Sequence, residues 1–174
     1  MKLLTLIRHA KSSWKQYGVE DSARPLNGRG KRDAAMMGQR LAAIGFLPDA
    51  FLTSPAKRAR GTARRLAKEI GFPKSHIALE EEIYHAMSDR LLNLIRRLDD
   101  SRDHVALVGH NPGFTELSGL LSQDYIGDVP TCGVVRLELD VSSWQEVERN
   151  CGRLLDFDFP KRDAHREDSG APAS

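Results

Sequence analysis

The sequence has little of what marks several classes of protein. Aromatic residues make up 6% of its 174 residues, and 26 basic against 24 acidic residues leave a net charge of only +2. Because nucleic-acid binding needs clustered positive charge or aromatic stacking surfaces, we expect no nucleic-acid partner. The apolar run at the N-terminus ends at Arg8, too early for a secretory signal or a membrane span. We therefore expect a cytoplasmic protein without a membrane partner.

Cysteine and metal-binding patterns are equally sparse. The two cysteines, Cys132 and Cys151, are far apart, and no CxxC pattern occurs. Free thiols in a reducing compartment are the simplest interpretation. No group of Cys and His residues has metal-ligand spacing, so we expect no metal and no other cofactor. The sequence gives no indication of the oligomeric state.

What the sequence does contain is an alternation of strand and helix patterns. Short apolar runs predict strands at 3–7, 49–53 and 105–109, with weaker patterns at 76–79, 134–141 (an exposed or edge strand) and 153–159. Apolar stripes predict helices that begin at Gly28, after Ser54 as N-cap, near Ser88 and after Asn111 as N-cap. The alternation predicts an α/β fold of three layers, with a mostly parallel central sheet and helices on both faces. One domain is expected over 1–159, followed by a flexible tail at 160–174.

Charged and titratable residues follow three of the predicted strands directly. Arg8 and His9 follow the first strand, and residues 54–58 follow the second. The third of these strands, 105–109, is apolar throughout and is predicted to be central; it ends at Gly109, and His110 follows directly. The carboxyl ends of parallel strands share one edge of a sheet, where ligands bind, and helix N-termini at that edge favour anions. This edge therefore predicts a site for a dianion such as a phosphoryl group.

The residue types at that edge suit phosphoryl transfer. One histidine could attack phosphorus while the other donates a hydrogen bond to the phosphoryl oxygens. Arg8 and Arg58 could bind those oxygens through their guanidinium groups, where charge is spread in the transition state.

Three further residues are candidates for this site. An alkoxide leaving group needs a proton, and Glu82 is the candidate acid, although Glu80–Glu82 could equally be a solvated surface run. Lys11 and Ser12 are candidates for substrate contact because they lie close to His9 in the sequence.

Four motifs occur in order over residues 3 to about 120: LIRHAKSSW at 6–14, RPLNGRG at 24–30, SPAKRARGTA at 54–63 and VGHNPG at 108–113. In this combination the chain resembles the histidine phosphatase (phosphoglycerate mutase-like) superfamily, specifically the small SixA-type phosphohistidine phosphatases. The resemblance implies a phosphoglycerate mutase-like fold and makes His9 the phosphoryl-accepting nucleophile. It also implies a phosphate pocket formed by Arg8, Arg58 and His110. One departure is Gly61, where many relatives carry Gln.

The resemblance implies a metal-independent phosphatase that hydrolyses phosphohistidine on a phosphotransfer or signalling protein, through a covalent intermediate on His9. SixA-type members tend to lack a clear acid near the position of Glu82, and an imidazole leaving group depends less on one. The alternative is a small-molecule phosphomonoester phosphatase of the same superfamily. A non-catalytic phosphate-binding module is a third and less favoured interpretation.

Overall fold

A computed structural model describes residues 1–15 and 17–162 and contains a six-stranded mixed sheet with four α-helices. The strands are β1 (Lys2–Arg8), β2 (Ala50–Thr53), β3 (Ala78–Leu79), β4 (His104–Gly109), β5 (Val134–Leu139) and β6 (Gly152–Asp158). The helices are α1 (Gly28–Ala43), α2 (Lys57–Ile70), α3 (Ser88–Arg96) and α4 (Gly113–Ser122). Short 3-10 helices include Asp21–Ala23, Lys74–His76 and Glu81–Ile83. No helix in the described part of the chain is both long and apolar enough to cross a bilayer.

The strand order is β3-β2-β4-β1-β5-β6, and the first four of these strands are parallel to one another. The sheet separates two apolar clusters: one includes α3 and α4, and the other includes α1 and α2. Along β4, Val105 and Leu107 belong to the first cluster, whereas Ala106 and Val108 belong to the second. A strand buried on both faces reads as a continuous apolar run, which is the pattern that predicted β4. The predicted α/β fold with helices on both faces is therefore confirmed.

The prediction of an exposed or edge strand at 134–141 is wrong. β5 pairs with β1 on one side and with β6 on the other, and β6 forms the edge of the sheet. Val135, Leu137 and Leu139 are buried, while Arg136 and Glu138 between them are half-buried. The alternation arises because one face of the strand is more deeply covered than the other, and this is independent of position in the sheet.

Two helix starts are also corrected. The N-cap of α2 is Ala56 and not Ser54, which is fully buried. α4 begins two residues after Asn111, whose side-chain oxygen still accepts a hydrogen bond from the backbone N–H of Thr115. The weak strand pattern at 76–79 is a strand only in part: residues 74–76 form a 3-10 helix, and only 78–79 pair with β2. The later starts leave short connections after β2 and β4, and these connections carry side chains of the site described below.

Only the beginning of the predicted tail lies within the described residues. Residues 163–174 lie outside them, so the tail stays a prediction there. Within 160–162, Arg162 forms an ion pair of 3.1 Å with Asp156 of β6. The carbonyl of Pro160 accepts a hydrogen bond from Arg40 of α1.

The long segment between β1 and α1 is held against the start of α1. The carbonyl of Lys11 accepts a hydrogen bond of 3.0 Å from the backbone N–H of Asn27, and Ser12 pairs with Leu26. Gly30 packs so closely that a Cβ atom there would lie 2.0 Å from the carbonyl oxygen of Lys11. A glycine is required here because of close approach between two backbone segments.

Replacing Gly30 with Ala is expected to lower the free energy of unfolding by about 2 kcal/mol, because two backbone segments must separate to admit the methyl group. Gly119→Ala is the matched control, since no atom lies within 4 Å of a Cβ atom at this helical position. That control should raise stability by about 0.5–1 kcal/mol. Denaturant unfolding of both variants gives the comparison. A Gly30→Ala variant as stable as the unchanged protein would contradict the close contact.

Candidate active site

His9 follows the last residue of β1 and is almost completely buried. Its Nδ1 lies 2.7 Å from the carbonyl oxygen of Ala10. A carbonyl can only accept, so Nδ1 carries the hydrogen and Nε2 keeps its lone pair. Burial, together with the positive charges of Arg58 and Arg8, lowers the pKa of His9 to about 4, against the opposing effect of the Ala10 hydrogen bond. At neutral pH the ring is therefore an uncharged imidazole that can act as a nucleophile.

Two arginines stand beside this imidazole: Arg58 is buried and Arg8 is half-buried. Arg8 donates from Nη1 to the carbonyl of Val129 at 2.9 Å, and burial lowers the pKa of Arg8 from its usual value. Arg58 donates from Nη1 to the backbone carbonyl of Asp21 at 2.7 Å and from Nη2 to the Asp21 carboxylate at 3.0 Å. Within the described residues, the Nε atoms of both arginines are buried without a hydrogen-bond partner. Buried donors without acceptors favour the entry of an anion.

Asp21 connects several side chains at the site. Its carboxylate accepts hydrogen bonds from Arg58, from Arg24 at 3.2 Å and from the Tyr84 hydroxyl at 2.6 Å. Burial alone would raise the pKa of Asp21, but the hydrogen bonds from Tyr84 and Arg58 hold it well below its usual range. The group is therefore an ionised carboxylate, suited to orienting arginines and unsuited to donating a proton.

His110 follows β4 and faces a buried serine. Its Nε2 lies 2.7 Å from the Ser54 Oγ atom, which also accepts a hydrogen bond of 3.2 Å from the backbone N–H of Ala56. Arg58 Nη2 lies 3.5 Å from Nδ1 and can only donate, so Nδ1 accepts, and the ring hydrogen is on Nε2, which donates to the Ser54 Oγ atom. Burial and the neighbouring charges of His9 and Arg58 lower the pKa of His110 to about 3. In this tautomer a neutral ring links the guanidinium group of Arg58 to the serine.

These side chains surround one cavity of about 340 Å³ at the carboxyl ends of β1 and β4. The rings of His9 and His110 are 5.2 Å apart between centroids. The structure thus brings together the four residues predicted for a phosphate pocket: Arg8, His9, Arg58 and His110. The remaining lining residues are Asp21, Arg24, His85, Ala86, Met87, Asn111 and Pro112.

The other three predicted site residues do not line this cavity. Glu82 lies on the 3-10 helix Glu81–Ile83, and its carboxylate forms an ion pair with Arg97. Lys11 is exposed and lines a separate pocket. Ser12 accepts a hydrogen bond of 3.0 Å from Arg24, so it is connected to the cavity through that arginine.

Sequence reasoning missed several residues of the site. Arg24 stands in the RPLNGRG motif but was given no role, and Ser54 was interpreted as a helix cap. Tyr84 and His85 stand close after Glu82, and their rings are in contact, 3.9 Å apart between centroids and tilted at 45°. Asp21 has no signal in the sequence, because it lies in a segment without periodicity. Among the residues that the structure describes, no group of three or more His, Cys, Asp or Glu side chains could hold a metal ion.

Comparisons with known proteins agree with this geometry. The family model described as histidine phosphatase superfamily (branch 1) matches residues 4–81. An uncharacterised protein of Mycobacterium tuberculosis is 32% identical over 165 residues, which cover 89% of this chain and 100% of that protein.

Solved structures of the same fold include several phosphatases. The SixA protein of Agrobacterium tumefaciens, assigned as a phosphohistidine phosphatase, is 28% identical with a TM-score of 0.77, covering 90% of this chain and 96% of that one. A protein histidine phosphatase SixA complexed with tungstate is 19% identical with a TM-score of 0.78, over 91% and 97% of the two chains. A mycobacterial glucosyl-3-phosphoglycerate phosphatase is 15% identical with a TM-score of 0.65, over 88% and 97%. The chain thus belongs to the histidine phosphatase superfamily, as a SixA-type member.

Proposed function

We propose that this phosphatase hydrolyses phosphohistidine carried by a phosphotransfer or signalling protein, without a metal ion and through a covalent intermediate on His9. The observation that carries the proposal is the neutral His9 ring in a cavity that is lined by the guanidinium groups of Arg8 and Arg58. The unpaired Cys132 and Cys151 suit a reducing compartment, and we infer that the protein acts in the cytoplasm.

The proposed reaction has two steps. In the first, the second ring nitrogen of the substrate imidazole takes a proton from solvent, Nε2 of His9 attacks phosphorus, and the P–N bond of the substrate breaks, so that a neutral imidazole departs. In the second, water attacks the phosphorus of phosphorylated His9, the new P–N bond breaks, and phosphate leaves with the neutral ring regenerated. Arg8, Arg58 and His110 stabilise the charge on the phosphoryl oxygens in both steps.

The position of the acidic side chains favours a phosphohistidine substrate. An alkoxide leaving group requires a protonated acid close to the departing oxygen. Asp21 is an ionised carboxylate, and Glu82 is paired with Arg97 away from the cavity lining. An imidazole leaving group has a second ring nitrogen and depends less on an enzymic acid.

A small phosphomonoester remains the second candidate substrate. The observation in its favour is His85, an exposed imidazole in the cavity wall that could supply a proton to a departing alkoxide. The role of Glu82 as general acid would also belong to this alternative, after rearrangement of its ion pair.

With a chelator present, the protein is expected to dephosphorylate a phosphohistidine-bearing domain faster than a panel of small phosphomonoesters. His9→Ala should lower turnover by about a thousandfold or more, because the nucleophile is lost. His76→Ala is the matched control, since His76 is exposed on the 3-10 helix Lys74–His76. Activity that survives in His9→Ala would refute the covalent mechanism. If the unchanged protein hydrolysed none of these substrates, the result would favour a non-catalytic phosphate-binding module.

Ser54→Ala is expected to lower kcat by about tenfold to a hundredfold, because Nε2 of His110 loses the hydrogen-bond partner that holds the orientation of the ring. Thr53→Val is the matched control: Thr53 is equally buried, but its hydroxyl donates to the carbonyl of Ser54 and not to His110. Steady-state kinetics and thermal unfolding of both variants separate a positioning effect from a loss of stability. Equal losses of kcat in the two variants would contradict the assignment.

Glu82→Gln is expected to change turnover of the phosphohistidine substrate by less than about threefold, because only an exposed ion pair is lost. If Glu82 were the general acid, the same substitution would lower turnover of an alkyl phosphate by about a hundredfold or more. His85→Gln, measured on the same two substrates, shows whether the cavity-wall imidazole takes that role. A large loss on phosphohistidine in Glu82→Gln would contradict the proposed independence from this acid.

A further inference from the structure

A second groove, of about 320 Å³, lies between α2, α1 and the segment that precedes α1. Five of its eight lining residues are cationic and none is acidic; the cations are Lys31, Lys57, Arg60, Arg64 and Arg65. We call this surface the basic groove. The small net charge of the chain gives no indication of this groove, because acidic residues elsewhere balance its positive charges.

The positive charges of the basic groove are not neutralised within the described part of the chain. None of the five cations forms an ion pair there. Arg65 donates only to the backbone carbonyl of Gly61, at 3.2 Å. The Nε atom of Arg60 is buried and has no hydrogen-bond partner. Like charges held close together repel one another, and a buried donor without an acceptor is unfavourable, so an anionic ligand would relieve both.

The basic groove adjoins the catalytic cavity through two stretches of chain. Arg24 lines the cavity, and the next two residues, Pro25 and Leu26, line the groove. Arg58 lines the cavity, while Lys57 just before it lines the groove. A ligand large enough to extend beyond the cavity therefore meets the groove on the side of α2.

Gly61 helps to keep this groove open. A Cβ atom at this position would lie 3.2 Å from Leu26 Cδ1, in the space between α2 and the segment before α1. A longer side chain would occupy part of the groove. Glycine here leaves that volume to a ligand.

We propose that the basic groove docks a carboxylate-rich surface of the protein that carries the phosphohistidine. The proposal rests on the proposed function, because it assumes a protein substrate at His9. Arginine side chains bind carboxylates with paired hydrogen bonds, and three of the five cations are arginines. A protein is favoured over a single-stranded nucleic acid because no lining residue is aromatic and bases would find no stacking surface.

The first test measures binding and does not require catalysis. A labelled peptide rich in Asp and Glu is titrated against the unchanged protein and against Lys31→Glu/Arg64→Glu, which reverses two exposed groove charges. Lys74→Glu/Arg149→Glu is the control and makes the same change in net charge. Both residues are exposed and precede β3 and β6, at the end of the sheet where these strands begin and away from the carboxyl ends that form the cavity. The groove variant is expected to bind about tenfold more weakly, the control within about twofold, and binding should weaken with salt. Absence of peptide binding, equal weakening in both variants, or tighter binding of a single-stranded oligonucleotide would overturn the proposal.

The second test uses turnover. The ratio of kcat/KM for a phosphohistidine-bearing protein domain to that for free phosphohistidine should fall about tenfold in the groove variant and stay constant in the control. A constant ratio in the groove variant would contradict docking during catalysis. If the unchanged protein hydrolysed neither substrate, the proposed function would fail, and the peptide titration would still decide whether the groove binds carboxylates.

Discussion

The placement of half-buried Arg8 and buried Arg58 beside His9 is the constraint on which the site depends. Two guanidinium groups in a poorly solvated cavity are unfavourable unless anions or carbonyl oxygens satisfy their donors. The backbone carbonyls of Val129 and Asp21 satisfy part of this demand, and the Asp21 carboxylate satisfies a further part. Burial, together with the remaining positive potential, keeps the His9 ring neutral. The same potential favours an anion in the cavity.

The parallel part of the sheet explains how so few residues build this arrangement. β1 and β4 are neighbours in register, with Arg8 opposite Gly109, so His9 and His110 leave adjacent strands at the same level. α2 follows β2, the other neighbour of β4, and its first turn supplies Arg58. Three neighbouring strand ends are therefore enough to place two imidazoles beside two guanidinium groups.

The same regularity determines what the sequence could predict. Apolar runs followed at once by charged residues located Arg8, His9, Arg58 and His110, because strand ends and their edge of the sheet can be inferred from local patterns. Asp21 contacts Arg58 and Tyr84 across 37 and 63 positions of the chain, and no local period records such contacts. The helix-cap interpretation of Ser54 failed for a similar reason: a serine before a proline suits an N-cap, but its hydroxyl bonds to a histidine 56 residues away. The error at β5 shows that alternation reports unequal burial of two faces and leaves strand order undetermined.

The polar groups around the cavity also bear on the leaving group. A carboxyl group that accepts hydrogen bonds from two arginines and a tyrosine cannot at the same time hold a proton for transfer, so Asp21 supports charge binding at the expense of acid catalysis. Chemistry at this site then depends on how readily the departing group leaves without a proton from a carboxylic acid. A phosphorylated imidazole, with a second ring nitrogen open to protonation, meets that condition better than an alkyl ester. The features that suit the cavity to anions therefore also exclude Asp21 as a proton donor.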